Sequence, residues 1–267
     1  MNLFAPLPTP RPRLIGMIHV PATPGCPNWS PDLQHTLHSV ERDTAALVEG
    51  GVDAILIENM HDVPYLRSRV EPETVAAMAI YARRVRECAP HHPVGIQILA
   101  GANREALGTA VAAGLDFLRV EAFAYAHVAD EGLIQASAAE LVRARYALRA
   151  ESVLILADIK KKHSSHAITA DLSIEAIAEG TEFCGADALI ITGSSTGKAP
   201  DAELLSRVRA VSSRPLVIGS GVTLENWHKF RGADALIVGT ALKEAANWRN
   251  RVDVTRVKHL SDALNAS

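Results

Sequence analysis

No two cysteines stand close together in this chain: Cys26, Cys88 and Cys184 are odd in number, far apart, and form no Cys-x-x-Cys motif. A disulfide framework and a thiolate metal site are therefore not indicated, and the thiols are expected to be reduced, in a cytoplasmic compartment. Equally absent is any apolar run near the roughly 20 residues that span a bilayer. There is no excess of positive charge, since 27 Lys and Arg stand against 30 Asp and Glu for a net charge of −3. Without a basic field the chain is not expected to hold nucleic acid. The opening "MNLFAPLPTPRPR" lacks the unbroken apolar stretch of a secretory signal, and residues 1–12 read as a proline-rich arm.

What is present is apolar material for one large core: 48% of 267 residues are hydrophobic, though only 4% are aromatic. Eight short runs rich in Val, Ile and Leu recur, beginning at Arg13, Val52, His92, Leu115, Val153, Ala186, Arg214 and Ala233. Near-continuous apolarity of this length marks strands covered on both faces, as in parallel sheets. Between them lie segments of helical spacing, such as "PETVAAMAIYARRVREC" and "ASAAELVRARYALRA". Glycine stop signals in "EGGVDA", "AAGLDF", "CGADAL" and "RGADAL" lead from helix straight into strand. Connections after helices are thus short, and those after strands are long and polar. That asymmetry predicts an α/β fold, a single (β/α)8 TIM-type barrel over residues 13–267 with its site at the C-terminal strand ends. A doubly wound open sheet is the alternative, but no Rossmann glycine fingerprint follows the first run.

The seventh and eighth runs break into small residues at the same end, in "VIGSGVT" and "LIVGTAL". On a barrel the loops after strands 7 and 8 commonly cradle a phosphate, so Gly219, Ser220, Gly221, Gly239 and Thr240 are the expected cup. Gly193 and Ser194 of "ITGSSTG" are expected beside it, although tight turns alone use the same residues. The fifth run, "ILADIKKKHSSH", is the most chemically loaded. Alternation places Asp158, Lys160 and Lys162 on one face, where a carboxylate stays ionised beside cations and a crowded lysine loses basicity. A solvated basic loop is the plainer reading for Lys160 and Lys161. Other strand ends contribute Glu58, Asn59, Gln97, Arg119, Glu121 and His19, with Arg119 and Glu121 sharing parity as a compensated pair. His163 and His166 have His-x-x-His spacing, but no third ligand accompanies them, so no metal site is assigned.

Taken in order, "IGMIHVPATPGCP", "ILIENMHDVPY", "LADIKKKHS", "ADALIITGSSTGKAP", "VIGSGVTLENW" and "ADALIVGTALK" resemble the BtpA/SgcQ family, from Leu14 to about Lys243. The resemblance implies a TIM-type barrel related to phosphate-binding barrels, and the family is linked both to photosystem I biogenesis and to nucleosidase or sugar-metabolic roles. The cup and Asp158, Lys162 and His163 match the family pattern. "QILAGAN" lacks the Arg and Asp common after the third strand, and Glu121 stands where Asn is common.

The expected function is therefore an enzyme acting on a phosphorylated sugar or nucleoside-type compound, by N-glycosidic hydrolysis or by lyase or aldolase chemistry. Asp158, Glu58, Glu121, Lys162 and His163 are the expected catalytic set, and His19, Asn59, Gln97, Arg119 and Lys160 the expected lining. No cofactor is expected. A non-catalytic photosystem I assembly factor, peripheral to a membrane, is the alternative. The alanine-rich outer helices suggest a homo-oligomer.

Overall fold

The computed structural model describes residues 3–193 and 200–266. In chain order the strands are β1 (Arg13–His19), β2 (Ala54–Glu58), β3 (Val94–Gln97), β4 (Phe117–Val120), β5 (His127–Ala129), β6 (Gly132–Ile134), β7 (Leu154–Asp158), β8 (Ser164–Ser165), β9 (Ala188–Ile191), β10 (Leu216–Ile218) and β11 (Ala235–Val238). The predicted apolar runs are the strands of a closed barrel in the order β1-β11-β10-β9-β7-β4-β3-β2, while β6-β5-β8 make a small separate sheet. Neighbours in the barrel are parallel throughout, and β1 pairs with β11 from Arg13↔Ala235 to Gly16↔Val238 to close it.

The helices between strands are α1 (Leu33–Gly50), α2 (Pro72–Cys88), α3 (Asn103–Ala113), α4 (Ala138–Ala147), α5 (Ile174–Phe183), α6 (Ala202–Arg209) and α7 (Val254–Asn265). The glycine stops act as their positions imply: Gly51 ends α1 at φ 86 with its N–H on the carbonyls of Leu47 and Val48. At the seventh crossover the helix expected before "RGADAL" is only a 3-10 turn, Trp227–Phe230. The preceding residues are spent on the loop Gly219–Thr223, which Asn226 pins by donating to the Gly221 carbonyl at 2.9 Å and accepting from the Thr223 N–H at 2.8 Å. Too little chain remains for a longer helix.

Strand alternation sorts the core. Ile15, Met17, Leu56, Phe117, Leu156, Ile190, Val217 and Ile237 fill the barrel interior, and Leu3 of the arm closes the same cluster. The opposite faces of the strands pack against the helices in a larger apolar layer. Two residues beyond the interior side chains, still pointing inward, come His19, Glu58, Arg119 and Asp158. Polar groups thus collect at the C-terminal mouth, where the barrel stops being filled. No helix among the described residues is long and apolar enough to cross a membrane.

Candidate active site

Two stretches, Gly219–Thr223 and Ile237–Ala241, line a cavity of about 230 Å³ together with His19, Glu58, Met60 and Lys162. Glycine is required here partly by packing. A Cβ on Gly219 would lie 2.5 Å from Ile190 Cγ2 and 2.8 Å from Thr192 Cγ2, and one on Gly239 would lie 3.1 Å from His19 Nε2. A methyl at Gly219 would thus press on the packed barrel wall, and one at Gly239 on the His19 ring that lines the cavity. The Gly193 N–H donates to Ser220 Oγ at 3.2 Å, tying the sixth loop to the cup. Ser194 lies outside the described residues.

A second cavity of about 540 Å³ adjoins the first and shares Glu58, Met60 and Lys162 with it. Its polar wall holds Gln97, Arg119, Glu121 and Lys161, and its apolar wall Tyr65, Leu99 and Trp248. Asp130 and Glu131, at the turn between β5 and β6, reach in from the small sheet that covers this side of the mouth. The Lys161 ammonium sits between two carboxylates, 3.4 Å from Glu121 Oε2 and 3.5 Å from Glu131 Oε2.

Burial sets the electrostatics of this chamber. It pushes the Glu121 carboxyl up to about 7 against the pull of Lys161. It also raises Glu58, opposed by Arg119 and Lys162. Lys162 is driven the other way, its ammonium disfavoured by burial and by the Arg119 charge. Burial and then Lys243 lower His19 well below the usual imidazole range. Its Nδ1 lies 3.0 Å from the Trp248 carbonyl, which can only accept, so Nδ1 carries the proton and Nε2 is left as a bare acceptor. That nitrogen stands 4.0 Å from Glu58 Oε2.

Several predicted residues are placed differently. Asp158 lines neither cavity; both its oxygens accept from Arg119, Nε at 3.0 Å and Nη2 at 3.2 Å. Arg119 is thus paired with Asp158, while Glu121, its expected partner, faces Lys161. Lys160 does not continue the inward face. The strand ends at Asp158, and Lys160 lines a groove on the helical side with Leu172, Leu204 and Arg207. Asn59 is drawn out of the site: its amide donates to Asp62 at 2.8 Å and its oxygen accepts from the Leu99 N–H at 2.7 Å, cross-linking two loops. His163 does line the chamber. The His166 Nε2 donates to the Lys161 carbonyl at 3.0 Å instead of joining His163.

Sequence reasoning missed Glu131, Tyr65 and Trp248, and its solvated basic loop is overturned for Lys161, which lines the chamber. The hairpin could have been found, since "HVADEGLI" places Asp-Glu-Gly between short alternating runs. Trp248 carries no such signal.

A closed eight-stranded parallel barrel with its polar groups gathered at the C-terminal mouth is a TIM barrel. The chain belongs to the BtpA family, whose profile matches residues 11–266. It is 34% identical over 266 residues to the photosystem I biogenesis protein BtpA of Synechocystis, covering 99% of this chain and 91% of that one. A Caenorhabditis elegans protein described as uncharacterized and mitochondrial is 43% identical over 259 residues, covering 96% and 94% of the two chains. Among solved structures, a 3-hexulose-6-phosphate synthase from Salmonella typhimurium superposes with a TM-score of 0.60 at 16% identity, covering 95% of this chain and 99% of that one. A phosphoribosyl anthranilate isomerase from Thermus thermophilus gives 0.58 at 15%, covering 95% and 98%. These two similarities establish the fold.

Proposed function

We propose that this protein is an enzyme acting on a phosphorylated sugar or ribosyl compound, with the phosphate held by the backbone of Gly219–Gly221 and Gly239–Thr240. The observation that carries the reading is the continuity of the two cavities through Glu58 and Lys162. A phosphate in the cup leaves its sugar carbons over those two side chains, facing Glu121. The names of the hexulose-phosphate synthase and the phosphoribosyl isomerase agree with this substrate class.

Glu121 is the proton-transfer group in this reading, because a carboxyl titrating near neutrality both gives and takes a proton at working pH. Two reactions use the rest of the chamber. In N-glycosidic cleavage, Glu58 faces the positive charge that develops on the ring while Glu121 protonates the departing base or activates water. In a lyase or aldolase, the less basic Lys162 amine adds to an open-chain carbonyl and expels water as a Schiff base. Borohydride trapping on Lys162 separates the two.

The test is a thermal-shift and calorimetry screen of sugar phosphates, nucleosides and inorganic phosphate on the wild type and Gly221→Val. Ligand at about a hundred times its Kd stabilises by about 2.7 kcal/mol. Phosphorylated ligands are expected to stabilise the wild type and to lose that effect in the variant. No response to any phosphorylated compound overturns the reading. A non-catalytic role in photosystem I biogenesis, the process in the name of the Synechocystis relative, has no use for unpaired polar groups buried at a barrel mouth. Self-association is part of the proposal and rests on exposed apolar side chains such as Phe183, 92% accessible. A monomeric mass by light scattering at micromolar concentration counts against it.

A further inference from the structure

Hydrogen-bond accounting inside the chamber leaves a surplus of one kind. Gln97 Oε1 and Glu121 Oε2 are buried and accept no hydrogen bond from the described residues, the Lys161 ammonium standing 3.4 Å from the Glu121 atom as its ion-pair partner. His19 Nε2 is a bare acceptor, because the opposite nitrogen donates to Trp248. Glu58 adds a carboxylate 4.0 Å from it, too far for a hydrogen bond. Buried acceptors without donors are uncommon in native proteins, since each forfeits its hydration without return. Two such atoms, together with the bare His19 nitrogen and the Glu58 carboxylate, follow one another along the two joined cavities and indicate a guest that brings donors.

Their placement is ordered. The register pairs His19 with Glu58 and Glu58 with Gln97, so the three stand abreast on β1, β2 and β3. Glu121 follows just past the end of β4, beyond Arg119. The row begins beside the cup, where Gly239, just past the end of β11, abuts the His19 ring. From His19 to Gln97 is two strand spacings, about 10 Å at the backbone. A three-carbon unit anchored at the cup does not reach its far end.

We propose that His19, Glu58, Gln97 and Glu121 form a row of acceptors that reads successive hydroxyl groups of a sugar of about five or six carbons whose terminal phosphate lies in the glycine cup. The inference rests on the phosphate reading above and names its substrate class: a polyhydroxylated sugar phosphate with its hydroxyls free. A divalent cation is the other guest that acceptors attract. Yet Arg119, Lys161 and Lys162 already supply positive charge to this chamber, and no group of three His, Cys, Asp or Glu among the described residues is arranged to hold a metal. Hydroxyl groups satisfy the acceptors without adding charge. Gln97 is a specificity-determining residue in this scheme, because an uncharged amide contributes hydrogen bonding and little else.

The experiment is calorimetric titration of the full-length protein with inorganic phosphate, glycerol 3-phosphate, 2-deoxyribose 5-phosphate and ribose 5-phosphate, with and without a chelator. Affinity is expected to climb along that series, by about tenfold for a well-placed hydroxyl. In Gln97→Leu, ribose 5-phosphate is expected to weaken by about tenfold while inorganic phosphate binds as before, which also shows that the variant is folded. Binding of all four ligands with equal affinity overturns the acceptor row and leaves the phosphate cup standing. Sugar-phosphate binding that the chelator abolishes overturns it in favour of a metal site. If none of the four binds, the phosphate reading fails and the acceptor row fails with it.

Discussion

Arg119 grips both oxygens of Asp158 and extends its third nitrogen, Nη1, to the carbonyl of Gly219 at 3.3 Å. A carboxylate at the end of β7 is thereby linked through β4 to the first residue of the glycine cup. Both side chains of the pair are almost wholly buried, at 4% and 1%. The Asp158 carboxylate is committed before any ligand arrives.

Breaking this pair from one side should be costly. Asp158→Ala leaves the guanidinium buried without its partner, and removal of one member of such a pair typically destabilises by about 3–5 kcal/mol. The double variant Arg119→Met with Asp158→Leu should recover much of that stability, because apolar side chains of similar volume replace a desolvated pair with little loss. Urea denaturation of the wild type and the two variants checks both statements. Full stability in Asp158→Ala would show that the pair holds nothing together.

Glu121 predicts a pH signature. Its folded pKa of about 7 lies above the 4.5 of the free side chain, so the folded state holds a proton that the unfolded state has released between those values. Stability from this group is therefore present below pH 4.5 and lost as pH rises through 7. Glu121→Gln, which stays neutral, should match the wild type near pH 4.5 and exceed it above pH 7 by a few kcal/mol. Difference curves from chemical denaturation at several pH values isolate the effect. Turnover on any substrate found should fall about a hundredfold or more in the same variant.

How much of this was legible in the sequence follows from where the strands stop. Inside a strand alternation is reliable: Glu58, Gln97 and Arg119 stand two residues beyond interior positions, and all three reach the chamber. Past the strand end the period lapses. Asp158 is the last residue of β7, so parity carried forward put Lys160 and Lys162 in the site, whereas the chain turns and delivers Lys161 beside Lys162 and leaves Lys160 outside. Asn59 fails for the same reason, one residue past β2, where the chain needs a side chain to tie Asp62 and Leu99 together. Trp248 lies between two distant elements, and nothing local announces that its carbonyl will orient His19.

The glycines of the cup should respond unequally to alanine. At Gly219 the added methyl meets Ile190 and Thr192 at 2.5 and 2.8 Å, both side chains in the packed wall of the barrel. Overpacking of this kind costs about 1–3 kcal/mol, read as a lowered denaturation midpoint. At Gly239 the nearest atom is His19 Nε2 at 3.1 Å, so the ring is pressed from the side that faces the cavity. Gly239→Ala should lose ligand affinity with a smaller change in stability. Equal effects of the two substitutions on both measurements would deny the cup its separate role.

Lys243 supplies the remaining pH test, with the opposite slope to Glu121. Its side chain is entirely buried, and among the described residues its Nζ makes no hydrogen bond and has one ion-pair partner, Asp43 on α1, 3.5 Å away. Burial, only partly offset by Asp43, brings the amine down to about 8 from 10.5. Between these values the unfolded chain binds the extra proton, so stability must rise with pH across that window. Asp43 has other work, taking the Val252 N–H at 3.3 Å and the Arg42 side chain, so its removal disturbs more than one contact. Lys243→Met is the cleaner probe: it keeps the apolar stem and removes the charge that is buried at neutral pH. The variant should be at least as stable as the wild type at pH 7, and the wild type should gain on it by about 3 kcal/mol between pH 8 and pH 10.5. A difference between the two that stays flat across that range would mean that the ammonium is retained in the folded protein, held by Asp43 more firmly than 3.5 Å implies.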